Sequence, residues 1–120
     1  MEKIKLLKIA GGVNNNKYAA PEILNNEKSG NISETDSQKA DLWSLGIIIF
    51  ILYFGEFPYK GNNARIIHSN IMRNEGIRLN EISDPNLRDL LKKLLTIEPE
   101  DRIDWNGYFA HEFFKNNSSK

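Results

Sequence analysis

Residues 41–54 read Asp-Leu-Trp-Ser-Leu-Gly-Ile-Ile-Ile-Phe-Ile-Leu-Tyr-Phe, and after Ser44 almost every side chain is apolar. Apolar residues on all sides imply a helix enclosed on every face. The run is shorter than the roughly 20 residues that cross a bilayer, so it reads as a core helix and not a membrane anchor. The β-branched Ile47, Ile48, Ile49 and Ile51 would also suit a buried strand. Asp41 as N-cap, Gly55 as a stop and the length of the run favour the helix. The rest of the chain has to be arranged around it.

The 120 residues have the length of one ordinary domain, with 40% of them hydrophobic. Sixteen basic residues balance sixteen acidic ones, so charge gives no argument for nucleic acid, an anionic membrane or an acidic substrate. No nucleic-acid or membrane partner is expected. With no cysteine there is no disulfide framework and no thiolate metal site, which fits a reducing compartment. The N-terminus carries basic residues but no apolar signal region, and an intracellular, cytoplasmic protein is the expectation. His68 and His111 have no second ligand at metal spacing and read as structural.

Residues 3–9 alternate in part, with Ile4 and Leu6 against Lys3 and Lys5, and predict one short N-terminal strand that Gly11-Gly12 ends. In Ala-Pro-Glu-Ile-Leu, Pro21 suits a first helical position, and Glu22 suits the positive end of a brief helix. The polar stretch 25–39 predicts an exposed loop that leads into the central helix. After the turn region 55–61, Ala64, Ile67 and Ile71 mark one side of a helix that ends near Gly76. Asp84-Pro85 supplies cap and first-turn proline to a clearer helix, in which Leu87, Leu90, Leu91 and Leu94 follow i, i+3, i+4, i+7. Asp104 can cap a last helix bearing Trp105, Tyr108 and Phe109. Phe113 and Phe114 then anchor a tail that is expected to be disordered over 115–120.

Four landmarks in order, Tyr18-Ala-Ala-Pro-Glu22, Asp41-Leu-Trp-Ser-Leu-Gly46, Gly55-Glu-Phe-Pro-Tyr59, and Asp101-Arg102 with Phe109-Ala-His-Glu-Phe-Phe114, resemble the C-terminal half of the protein-kinase catalytic domain. Singly each is weak; jointly, at this spacing, they are specific. The resemblance covers about residues 17–114 and looks closest to serine/threonine kinases of the calmodulin-dependent and autophagy-initiating types. It implies a mainly α fold, the helical C-terminal lobe of the kinase, incomplete, with at most the one strand. Residues 1–16 then form that strand and a shortened activation-segment-like loop, residues 17–114 the partial lobe, and residues 115–120 the tail.

In the family the Ala-Pro-Glu glutamate pairs with an arginine near the domain's end, which implies that Glu22 meets Arg102; without the family they are two solvated surface charges. Tyr18, Ala20 and Pro21 fall in the substrate-recognition loop, where the resemblance makes Tyr18 a wall of the pocket for the residue after the phosphorylated one. As a lone tyrosine near a turn it reads equally as a half-buried packing residue. The resemblance has Asp41 hold the backbone of the catalytic loop; the plainer reading is an N-cap. Trp43 and Gly46 would let the central helix pack closely under the recognition loop, or simply serve the core.

Phosphoryl transfer in this family needs a glycine-rich loop, a strand lysine, a catalytic-loop aspartate with its asparagine, and the metal-binding aspartate of Asp-Phe-Gly. None is recognisable. The run Lys5-Leu-Leu-Lys-Ile-Ala resembles the strand that leads into Asp-Phe-Gly, but Gly11, Gly12 and Val13 follow it. No catalytic residue, metal ligand or cofactor is therefore expected for this chain alone, whereas ATP and magnesium serve the full-length family. The function by resemblance is ATP-dependent serine/threonine phosphorylation, with this chain by itself incompetent. The alternative is a non-catalytic module that docks a kinase or its substrate. Either way, part of the central helix has to be covered by the N-terminal strand, by a protein partner or by the missing N-terminal kinase portion, or else lie exposed.

Overall fold

The computed structural model describes residues 15–25, 34–73 and 77–118. All regular structure among them is helical: α1 (Pro21–Asn25), α2 (Glu34–Phe54), α3 (Ala64–Arg73), α4 (Pro85–Leu94), α5 (Trp105–Phe109) and α6 (Glu112–Ser118), with single 3-10 turns at Asn15–Lys17 and Leu79–Glu81. The mainly α class expected from sequence is the one observed. The strand expected over 3–9 lies outside the described residues.

Helix α2 is the beam of the lobe and runs for 21 residues. It begins at Glu34, so the exposed loop expected over 25–39 is helical from that point, and Asp41 is an exposed residue well inside the helix and not its N-cap. Glutamate, glutamine, lysine and alanine in this stretch favour helix even where nothing apolar directs it. At its other end Gly55 adopts the left-handed conformation, φ 81°, and its N–H closes on the Ile51 carbonyl at 2.7 Å. By length and composition alone this helix would suffice to cross a membrane. Four of its apolar residues, Leu42, Trp43, Ile47 and Phe50, are wholly enclosed in the core of the lobe.

Two apolar clusters share α2. On one side Trp43, Ile47 and Phe50 pack with Tyr18, Ala20, Leu24, Tyr59, Ile67, Ile71 and Leu95. On the other, Leu42 joins Ile82, Leu90, Leu91 and Leu94, with Ile49, Phe113 and Phe114 against them. Enclosure on every face, the expectation from composition, fails toward the helix's C-terminal end: Leu52 is 62% and Tyr53 45% exposed.

Helix α4 starts where its sequence says it should. The Asp84 carboxylate accepts the N–H groups of Asn86 and Leu87 at 2.9 and 3.4 Å, with Pro85 at the first position. Its leucine stripe turns Leu90, Leu91 and Leu94 fully inward. Gly46 is where α2 and α4 approach: a Cβ there would sit 2.9 Å from Leu94 Cβ and 2.9 Å from Leu95 Cδ2. The close packing that Gly46 permits is thus against α4, the core-packing reading of the two that the sequence left open.

The single last helix expected from Asp104 onward is two. Asp104 Oδ1 caps α5 through the Gly107 N–H at 2.8 Å. The chain then breaks at Ala110 and restarts at Glu112, because the buried His111 ring offers Nδ1 to the Phe113 N–H at 3.0 Å. Helix α6 runs from Glu112 to Ser118.

Candidate functional site

Among the described residues, a dense polar arrangement lies where α1, the N-terminal half of α2 and the turn before α5 meet. Arg102 is at its centre, with its side chain fully removed from solvent. Its guanidinium meets the Glu22 carboxylate two-pronged, Nη1 to Oε2 at 2.8 Å and Nη2 to Oε1 at 2.9 Å, across 80 residues of sequence. The other donors are also taken: Nε by the Thr96 carbonyl at 2.8 Å, Nη1 by Lys39 at 2.8 Å and Nη2 by Ile97 at 3.0 Å. A buried guanidinium is tolerable only when its fork is satisfied in this way. The Trp43 ring lies beside it, 5.2 Å from the guanidinium carbon, which adds a cation–π contact.

The segment that carries Glu22 is held from a second direction. Ser44 of α2 donates its hydroxyl to the Tyr18 carbonyl at 2.7 Å, and the Ile23 and Leu24 amides close on Ala20 at 2.9 and 3.0 Å. Tyr18, Ala20 and Pro21 are all buried. The Tyr18 ring meets Phe57 edge to face at 5.2 Å, and Lys17 Nζ stands 4.9 Å from the centre of the same Phe57 ring. Trp43 stacks on Tyr59 at 6.1 Å, and burial pushes the Tyr59 hydroxyl up to about 12. The Tyr18 hydroxyl and the Trp43 indole N–H are buried with no hydrogen-bond partner among the described residues.

Of the residues singled out from sequence, the structure brings Glu22, Arg102 and Trp43 together, with Tyr18, Ala20 and Pro21 on the adjoining segment. Asp41 and Gly46 stand apart from this group, Asp41 in solvent and Gly46 against α4. Sequence reasoning missed Lys39, which lay in a stretch read as loop. It missed Asp89 too, which meets His111 Nε2 at 2.8 Å and Lys93 Nζ at 2.8 Å; these two partners hold its carboxyl below the usual range, Lys93 foremost. The i, i+4 spacing of Asp89 and Lys93 was a visible signal, whereas nothing local pointed to His111.

A separate apolar groove of about 320 Å³ opens along the exposed end of α2, lined among others by Leu52, Tyr53, Leu87, Tyr108 and Phe113. Among the described residues no group of three or more His, Cys, Asp or Glu side chains could hold a metal ion.

The family model described as "Protein kinase domain" matches residues 7–114. The chain is 31% identical over 98 residues to CBL-interacting protein kinase 21 of Oryza sativa subsp. japonica, an alignment covering 82% of this chain and 17% of that protein. It is 37% identical over 103 residues to serine/threonine-protein kinase ATG1a of Arabidopsis thaliana, covering 82% of this chain and 15% of the relative. CBL-interacting serine/threonine-protein kinase 14 of Arabidopsis thaliana is 36% identical over 98 residues, with coverages of 82% and 21%. The chain therefore spans about a fifth or less of the length of these curated relatives.

Proposed function

This chain belongs to the protein kinase domain family, and from that membership we propose that it is the substrate-recognition half of the helical lobe of a serine/threonine kinase, unable by itself to transfer phosphate. The observation that carries the reading is the buried two-pronged Glu22–Arg102 pair, which fastens the Ala-Pro-Glu segment to the turn before α5. A latch of that kind serves to hold a peptide-facing loop in one shape, and preorganisation is what a recognition loop needs. Tyr18, Ala20 and Pro21 are the residues whose backbone it fixes.

Incompetence follows from chemistry. Kinase catalysis is almost entirely positioning and electrostatic stabilisation by metal ions, a lysine and a catalytic aspartate. The 120 residues show no recognisable glycine-rich loop, strand lysine, catalytic-loop aspartate or Asp-Phe-Gly. The chain is expected to show no rise in melting temperature with ATP and magnesium, because a ligand stabilises only what it binds. A clear rise, or phosphate transfer by contaminant-free protein, overturns this reading.

A second reading, a non-catalytic docking module, is favoured by one observation: the exposed Leu52 and Tyr53 on the rim of the apolar groove. Under it the groove is covered by a protein partner or by N-terminal elements of a kinase domain. A separately expressed N-terminal kinase portion that binds the chain, and loses binding on Tyr53→Glu, supports this reading. Binding left intact by Tyr53→Glu counts against the groove.

A further inference from the structure

Lys39 and Arg102 exchange contacts in both directions. Arg102 Nη1 donates to the Lys39 carbonyl at 2.8 Å, while Lys39 Nζ donates to the Arg102 carbonyl at 2.9 Å and to the Pro99 carbonyl at 2.8 Å. From this reciprocity we propose that Lys39 is a positioning residue for the Tyr18–Glu22 segment, acting through Arg102.

Arg102 can aim its fork at Glu22 only if its own backbone is fixed, and that backbone belongs to a turn before α5. Within the turn, the Asp101 N–H reaches Glu98 at 3.0 Å and the Arg102 N–H reaches Glu98 and Pro99 at 3.1 and 3.2 Å. The Arg102 carbonyl points out of this turn and is met by the Lys39 ammonium. An ammonium that takes two carbonyl oxygens of one turn pins its pitch and its azimuth together, and charge-assisted bonds of this kind are about twice as strong as neutral ones. Lys39 is half-buried, which removes much of the competition from water.

Helix α2 supplies the geometry. Lys39 and Trp43 are one turn apart on the same helix face, and both address Arg102, Lys39 through its ammonium and its carbonyl and Trp43 through its ring. Two successive turns of one rigid element therefore hold the arginine, and the arginine holds Glu22. The upstream extension of α2 to Glu34 makes this possible, since a loop at 34–39 would leave the ammonium unplaced. The name given to the Tyr18–Glu22 segment rests on the proposed function; the mechanical claim does not.

Hydrogen–deuterium exchange on the 120-residue chain tests it, comparing wild type with Lys39→Met and Lys39→Arg. The amides to follow are those of Ile23 and Leu24, bonded to Ala20, with the Arg88 amide, bonded to Asp84, as the remote reference. Lys39→Met is expected to speed exchange at Ile23 and Leu24 by about tenfold relative to Arg88. Lys39→Arg, which keeps a cation of similar reach, is expected to restore most of the protection. If Lys39→Met does not fold, Lys39→Gln, with a shorter neutral donor, carries the same comparison. Equal acceleration at all three amides, or none at Ile23 and Leu24, overturns the proposal. Neither result depends on nucleotide or peptide binding, so failure of the recognition reading and failure of the positioning claim are told apart.

Discussion

The two halves of α2 receive opposite treatment. Around Lys39 and Trp43 the helix faces a buried cation whose donors are all answered, by Glu22 and by carbonyls of Lys39, Thr96 and Ile97. Around Ile49 to Tyr53 it faces an apolar groove, and Leu52 and Tyr53 look outward. Among the described residues the polar end is finished, whereas the apolar end is left open. A hydrogen-bonded buried charge is specific and intolerant of a missing partner; an apolar surface is indifferent to which apolar group covers it. A lobe built this way fixes its Ala-Pro-Glu segment internally, while its apolar surface can accept any apolar cover.

The sharpest way to break the contrast is Arg102→Met. It strands the Glu22 carboxylate and several carbonyls, and is expected to destabilise the chain by about 3–5 kcal/mol in urea titration. A loss below about 1 kcal/mol would mean that the polar end is no more finished than the other. Gly46→Ala tests the α2–α4 contact between the two ends. With Leu94 Cβ at 2.9 Å from the added methyl, the expected loss is about 1–3 kcal/mol, read as an earlier urea midpoint with an unchanged slope. Asp84→Ala, which removes the cap of α4, is expected to cost about 1 kcal/mol.

Leu52→Ser at the open end is expected to change stability by no more than about 0.5 kcal/mol in urea titration. A large loss there would show that the groove is closed in solution. The smallest effect expected is a pH effect at Asp89. Its folded pKa lies below the ordinary 3.8 because Lys93 and His111 bond to its carboxylate. The stability it contributes is therefore present above 3.8 and is lost as pH falls through the lower folded value. Asp89→Asn should weaken the chain slightly at neutral pH and match the wild type in strong acid; a gap that persists in acid would assign the effect to packing.

What could be read in advance depended on how far apart the cooperating residues lie. The Asp84-Pro85 start and the leucine stripe of α4 are local and follow from spacing and capping chemistry alone. The pairing of Glu22 with Arg102 spans 80 residues, and only the resemblance pointed to it, since a glutamate and an arginine at such a distance are otherwise unremarkable. Lys39 was hidden because residues 34–39 are polar throughout, and polarity alone does not separate an exposed loop from the first turns of a long helix. Asp41 shows the reverse error: a good capping residue lies mid-helix because the helix begins upstream. Uniform apolarity in 45–54 implied enclosure, but the described residues cover only part of that surface. The split at His111 was invisible because it depends on a ring nitrogen standing in for a backbone acceptor.

The occupancy of Arg102 has a consequence for what this face can recognise. Each of its N–H groups already has an oxygen within 3.0 Å, so an arriving phosphate or acidic side chain would find a positive charge with no hydrogen left to lend. Any appetite for anions near the Ala-Pro-Glu segment has to come from another cation. The arginine spends itself entirely on the architecture.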